Sequence, residues 1–129
     1  MFMLSRMQVG NTPPIVYMPP TADEAFQVGE ALKVASGKVT KASGTDTPSH
    51  VCVGPIGKDG SVPCVEVQDY MEFATTLAAA PASGTTLVIG SKVTLHTDGL
   101  QVTATTTGGI AEITSIAGQA VGDAVAVKF

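Results

Sequence analysis

Residues 92–103 read KVTLHTDGLQVT. Apolar Val93 and Leu95 alternate with Lys92, Thr94 and His96, TDG interrupts, and Leu100 and Val102 then alternate with Gln101 and Thr103. A period of two is the pattern of a strand with one buried face, and Asp98-Gly99 supplies the backbone freedom of a tight reversal. The stretch therefore predicts a β-hairpin. His96 shares a face with Lys92 and Thr94, so it is expected to point to solvent as a surface residue. His50 alternates with Val51 and is expected outside for the same reason.

The hairpin has an echo. VGEALKVASGKVTKA at 28–42 aligns with IGSKVTLHTDGLQVTA at 89–104, matching Gly29 to Gly90, Leu32 to Val93, Val39 to Val102 and Thr40 to Thr103. VGDAVAV at 121–127 repeats the opening once more. The match is too short for a solenoid repeat and reads as one hairpin used twice.

Working outward, further short strands are expected in PSHVCVG at 48–54 and VGDAVAVKF at 121–129, the latter with Val125, Val127 and Phe129 on one side. VEVQDYMEFATTL at 65–77 reads as one longer strand whose odd positions are mostly apolar, although Asp69 breaks the pattern and the second half also suits a helix. AAAPASGTT at 78–86 is a loop, and three strands are expected within 87–118. Thr21 with Glu24 matches a capping box, predicting one helical turn ended by Gly29. The fold class is all-β: a small barrel or sandwich of short antiparallel strands and hairpins with an extended N-terminal arm.

The totals agree. A chain of 129 residues makes one domain, 44% hydrophobic and only 14% charged, with 14 glycines and 8 prolines. The net charge is −4 and no Lys/Arg cluster exists, which argues against nucleic-acid binding. No apolar run is long enough to span a bilayer, and Arg6 interrupts the apolar start, so no membrane partner and no leader peptide are expected.

Residues 1–20 stand apart from this domain of 21–129. NTPPIVYMPP sets two Pro-Pro pairs around Ile15, Val16, Tyr17 and Met18, and proline is confined to extended or edge positions. Two readings follow: an arm whose apolar side chains need a foreign surface, or an edge segment packed on its own domain.

Chemistry is sparse. No GxSxG or Cys-His arrangement is present, GPIGKDG lacks the ending of a phosphate loop, and no helix follows TTTGG. Asp46, Asp59, Asp98 and Asp123 sit near glycine or proline, where turn formation accounts for them. Glu66 and Glu72 are a remote acid–base pair, better read as solvated strand residues. Cys52 and Cys64 lie symmetrically about Lys58; across a hairpin they would face each other, either as buried thiols or as a cross-strand disulfide. They are too few for zinc. No catalytic, metal or cofactor-binding residue is identified, and no enzymatic activity is expected.

The segment 90–129, GSKVTLHTDGLQVTATTTGGIAEITSIAGQAVGDAVAVKF, resembles the C-terminal part of tailed-bacteriophage capsid decoration (cementing) proteins. The segment 29–54 resembles their matching N-terminal hairpin unit. The resemblance implies a β-rich virion protein, assembled in the bacterial cytoplasm, that binds the outer surface of an expanded head. It further implies a homo-oligomer, often a trimer, whose partner is the major capsid protein and whose N-terminal arm orders on the shell. Phe2, Leu4, Ile15, Val16 and Tyr17 are then the capsid-docking candidates, chosen on physical grounds. A tail or head–tail connector component shares the same β grammar. A host-surface carbohydrate-binding module is a further alternative, weakened by an aromatic content of 5%.

Overall fold

The computed structural model describes residues 1–8, 10 and 12–129, and it is all-β. Among the described residues, ten strands form two antiparallel five-stranded sheets packed as a sandwich. The first sheet has the order β1 (Met3–Met7), β7 (Met71–Thr76), β10 (Ala124–Lys128), β9 (Ala111–Ile116), β8 (Lys92–Val93). The second has the order β2 (Ile15–Met18), β6 (Val62–Glu66), β5 (His50–Cys52), β3 (Ala31–Ala35), β4 (Lys38–Lys41).

Alternation along each strand fills the space between the sheets. Ala31, Val51 and Val65 from the second sheet join Phe73, Ile113, Val125 and Val127 from the first in one buried cluster. Phe2 completes it, with its ring edge-on to Phe129 at a centroid distance of 5.5 Å.

The opposite face of the second sheet is buried as well. Leu32, Val39, Cys52, Val62 and Cys64 form a second cluster, with Val16, Met18 and Phe26 packed against it. The sheet curls until its two edges touch: the Val39 amide donates to Pro19 O at 2.9 Å, and the Thr21 amide and hydroxyl donate to Val39 O at 3.0 and 2.9 Å. One parallel bridge, Pro20 to Val39, marks this seam, and the sheet stops short of a closed barrel. Strands buried on both faces read as near-continuous apolar runs, which is why VCV and VPCV carry little polar alternation.

The N-terminal segment is not a free arm. Residues 1–20 supply β1, paired with β7, and β2, paired with β6. The proline pairs bracket β2 rather than break it, because β2 is an edge strand with one side free of ladder bonds. The separation between 1–20 and 21–129 therefore does not exist in the fold. The expected long strand over 65–77 is two strands in different sheets, parted by the turn around Asp69. The helical turn after Thr21 is absent too: Glu24 instead accepts from Thr40 Oγ1 and the Lys41 amide, both at 2.7 Å, and so fastens the crossing segment to β4.

The echo is a hairpin in both places, and a recurring turn precedes it. β3 and β4 form a four-pair hairpin through Ser36-Gly37, both at positive φ. Its counterpart is a looser hairpin: the bridge Leu95–Val102, backbone bonds from the Thr103 amide to Thr94 O and from the His96 amide to Gln101 O, both at 2.9 Å, and a Thr94–Thr103 hydroxyl bond of 2.7 Å, while β8 takes β9 as its ladder partner. What recurs three times is the reversal ahead of β3, β8 and β10. In 27–30, 88–91 and 120–123 the amide of the fourth residue bonds the carbonyl of the first, at 3.1, 3.0 and 3.0 Å. Gly29, Gly90 and Gly122 occupy the third position at φ 83°, 93° and 87°, which type II turns reserve for glycine. Each glycine amide also bonds a neighbouring segment, at Cys52 O, Ile113 O and Leu77 O. The fourth side chain, Glu30, Ser91 or Asp123, accepts from the first residue's amide.

Each sheet edge is guarded. β1 carries a register shift between Leu4 and Arg6, β2 has its prolines, β4 is met by Pro20, and β8 is two residues long.

Two outcomes follow for stability. Phe2→Ala should cost about 3–5 kcal/mol in urea unfolding, the range for emptying a buried aromatic site, whereas Tyr17→Ser should stay within about 0.5 kcal/mol. Removing residues 1–18 should leave a chain without cooperative unfolding, because it takes one edge strand from each sheet.

Candidate functional site

The five docking candidates divide between the two sides of the N-terminal strands. Phe2 is 2% exposed and belongs to the core, and Leu4 and Val16 are half-buried against the two clusters. These three do not face outward. Ile15 and Tyr17 do, at 53% and 66% exposure on alternate positions of β2. Their backbone is held by the β6 ladder, Ile15 opposite Val65 and Tyr17 opposite Pro63. An aliphatic and an aromatic side chain are thus presented by a strand, not by a flexible tail.

Cys52 and Cys64 stand directly opposite each other on β5 and β6, as a hairpin reading requires. Both are free, buried thiols. Cys52 Sγ donates to Gly54 O at 3.2 Å and Cys64 Sγ to Val62 O at 3.4 Å. Burial raises both pKa values, that of Cys64 to about 12. They act as small core residues, not as nucleophiles.

His50 is not on the surface. It lies mid-sheet on β5, buried between Leu32 and Glu66, with Nδ1 2.8 Å from Ser49 Oγ. Burial lowers its pKa, partly offset by Glu66 across the ladder. The strand is covered on both faces, so alternation does not deliver its polar positions to water. His96 keeps its surface position, 3.2 Å from Asp98 Oδ1 within the same turn.

The acidic residues serve turns. Asp46 accepts from the Ser43 amide and Lys33, Asp59 from the Ser61 amide and hydroxyl, Asp98 from the Leu100 amide, and Asp123 from the Ala120 amide. Glu66 and Glu72 fall in different sheets, Glu72 paired to Arg6 at 2.5 Å, and form no acid–base pair. Among the described residues no three His, Cys, Asp or Glu side chains gather to hold a metal. Among the described residues no helix is long and apolar enough to cross a membrane.

One carboxylate stands out. Glu30 is fully buried; its Oε2 takes the Gln27 amide at 3.0 Å, while Oε1 has no partner. Burial drives its pKa up, with Glu24 and Asp98 adding to the effect and the Gln27 amide and Lys41 opposing it. The echo marks the position in sequence, since Glu30 aligns with Ser91 and Asp123, but the burial is not visible there.

Two apolar features complete the surface. A groove of about 220 Å³ opens between the N-terminal segment, the 27–30 turn and the end of β5, rimmed by Met1, Met3, Val28 and Val53. At 88–91 and 118–122, Val88, Ile89 and Val121 are exposed on adjoining loops. Compared with protein-family models, with curated proteins and with solved structures, the chain matches none.

Two measurements check this chemistry. Native protein should resist thiol labelling at pH 8, both cysteines reacting only at the rate of unfolding. Because the Glu30 pKa is raised in the folded state, that state binds the extra proton, and stability falls as pH climbs from the ordinary glutamate range through the raised value. Glu30→Gln should flatten that fall and raise the melting temperature at pH 7 above that of the parent.

Proposed function

We propose that this protein is a non-catalytic structural component of a virion, attaching to the outer surface of a tailed-phage head and stabilising the mature shell. The observation that carries the reading is the pair Ile15 and Tyr17, held outward on a strand that the β6 ladder fixes in place. An anchor already ordered loses little conformational entropy on docking, so more of its buried area appears as affinity. Tyrosine suits the role, because its ring supplies apolar area while its hydroxyl remains available to polar partners. The partner is the major capsid protein, and many copies bound across a lattice turn modest individual contacts into firm attachment. The guarded edges also favour a coat, since copies that cannot extend one another's sheets stay dispersed until they meet the shell.

The test is sedimentation of purified protein with expanded heads that lack it. Co-migration at a fixed ratio to the major capsid protein is the expected result. The double variant Ile15→Ser with Tyr17→Ser should stay folded and bind at least about tenfold more weakly, a loss of about 1.4 kcal/mol. Failure of the parent protein to sediment with heads would overturn the assignment.

A further inference from the structure

Glu30 is walled in by strands on most sides and by a loop on one. Its carboxyl is fully buried, with Oε2 on the Gln27 amide at 3.0 Å and Oε1 without a partner. Its main chain is fixed, the amide donating to Gln27 O and the carbonyl accepting from the Cys52 amide at 2.9 Å. β3, β4 and β5 supply most of the wall and are held in ladders. The remaining cover is the tip at 96–100. Gly99, itself buried at φ 68°, comes so near that a Cβ there would stand 3.1 Å from Glu30 Cγ and 2.9 Å from Lys41 Cγ. Outside its own hairpin the tip is fastened through two carbonyls. Gly99 O accepts from the Ala31 amide at 2.8 Å, and Leu100 O accepts from Thr75 Oγ1 at 2.9 Å and from the Met1 ammonium.

We propose that the 96–100 tip is a proton-operated latch: it stays closed over Glu30 while that carboxyl is neutral and lifts when the carboxyl ionises, loosening the clasp on Met1. A carboxylate with one donor and no water is costly, and lifting the tip admits water to both oxygens for the loss of a few bonds. The charges facing Glu30 do not relieve it. Lys41 on β4 attracts the ionised form, but Glu24 on the crossing segment and Asp98 on the tip repel it, and Asp98 is itself engaged with His96 at 3.2 Å. The Cys52 thiol on β5 is the remaining titratable neighbour. Burial above all lifts the Glu30 pKa in the closed state, so that state binds the extra proton. Opening therefore grows about tenfold per pH unit from the ordinary glutamate range up to the raised value, then levels off. The Met1 ammonium works the other way: burial lowers its pKa, with Asp98 opposing, so its own titration tightens the tip as pH rises.

The latch involves neither Ile15 nor Tyr17 and its test uses free protein, so its failure leaves head attachment untouched. Residue-resolved hydrogen exchange, corrected for intrinsic rates, is followed by NMR from about pH 4.5 to about pH 8. The Ala31 amide, bonded to Gly99 O, should open about tenfold more per pH unit within the window and with little urea dependence, which marks local opening. Amides of β7 and β10 should exchange only through urea-sensitive global unfolding. Glu30→Gln, neutral at every pH, should keep Ala31 protected throughout, and His96→Gln should leave the parent's profile in place. Gly99→Ala, whose Cβ has no room beneath the tip, should return Glu30 to an ordinary glutamate titration, read from its side-chain carboxyl shift. Ala31 protection that ignores pH, that tracks pH equally in Glu30→Gln, or that follows pH only with the full urea dependence of the core would overturn the latch. An unchanged Glu30 titration in Gly99→Ala would overturn it too.

Discussion

The backbone of Val39 is the seam on which the molecule closes. Its amide and carbonyl hold Pro19 and Thr21, at the far end of a chain segment that has crossed from one edge of the second sheet to the other. Without that contact, Leu32, Cys52, Val62 and Cys64 would lie on an open face, and five short strands would have to stand on one buried side. With it, the same strands are buried twice. A domain of this size has little core to spare, and a second cluster inside a curled sheet raises the apolar area removed from water without lengthening the chain. The crossing segment is in turn pinned by Glu24 to β4 and by Phe26 to the cluster, so the seam depends on side chains scattered over twenty positions of sequence.

Local grammar was readable from the sequence, and long-range layering was not. The Asp98-Gly99 reversal, the Ser36-Gly37 hairpin and the inward row Val125, Val127 and Phe129 each follow from rules acting over a few residues, and each appears in the fold. His50 was misplaced because alternation assigns one wet face to every strand, and β5 has none. The break at Asp69 was visible, but nothing local says that the chain leaves one sheet there and enters the other: the odd positions Val65, Met71 and Phe73 remain buried on both sides of the turn.

The N-terminal segment shows how one physical fact supports opposite readings. Proline pairs exclude helix and central strand, which suggests an arm, but an edge strand needs hydrogen bonds along one side only. Tyr17 and Ile15 point out from such a strand while Val16 and Met18 pack under it, so apolar residues on both faces reflect two separate uses. Of the five docking candidates, the sequence could supply the set but not divide it. The division needs the register of β2 on β6, which is fixed by contacts some fifty residues away.

The recurring turn shows one local motif adapted to three different surroundings. Three times the chain sets glycine at positive φ, caps the reversal with the next side chain, and places valine or isoleucine at the outermost position. Valine and isoleucine are poor choices for a solvated tip, since their apolar surface gains nothing from water there, and turn formation asks only for the glycine. All three are exposed, Ile89 at 69%, Val121 at 66% and Val28 at 43%, the last at the rim of the groove beside Met1. The capping residue changes in step with the surroundings: Ser91 and Asp123 are only partly buried, whereas Glu30 is enclosed and leaves an oxygen unpaired. A short polar cap would satisfy the turn at 27–30 equally well. The longer glutamate instead spans toward Lys41 and the 98–100 tip, so this turn is tied to the hairpin beside it at a cost in desolvation that the other two turns avoid. The cap of the first copy has thus been drawn into the body of the protein, while its valine stays at the surface like the apolar tips of the other two.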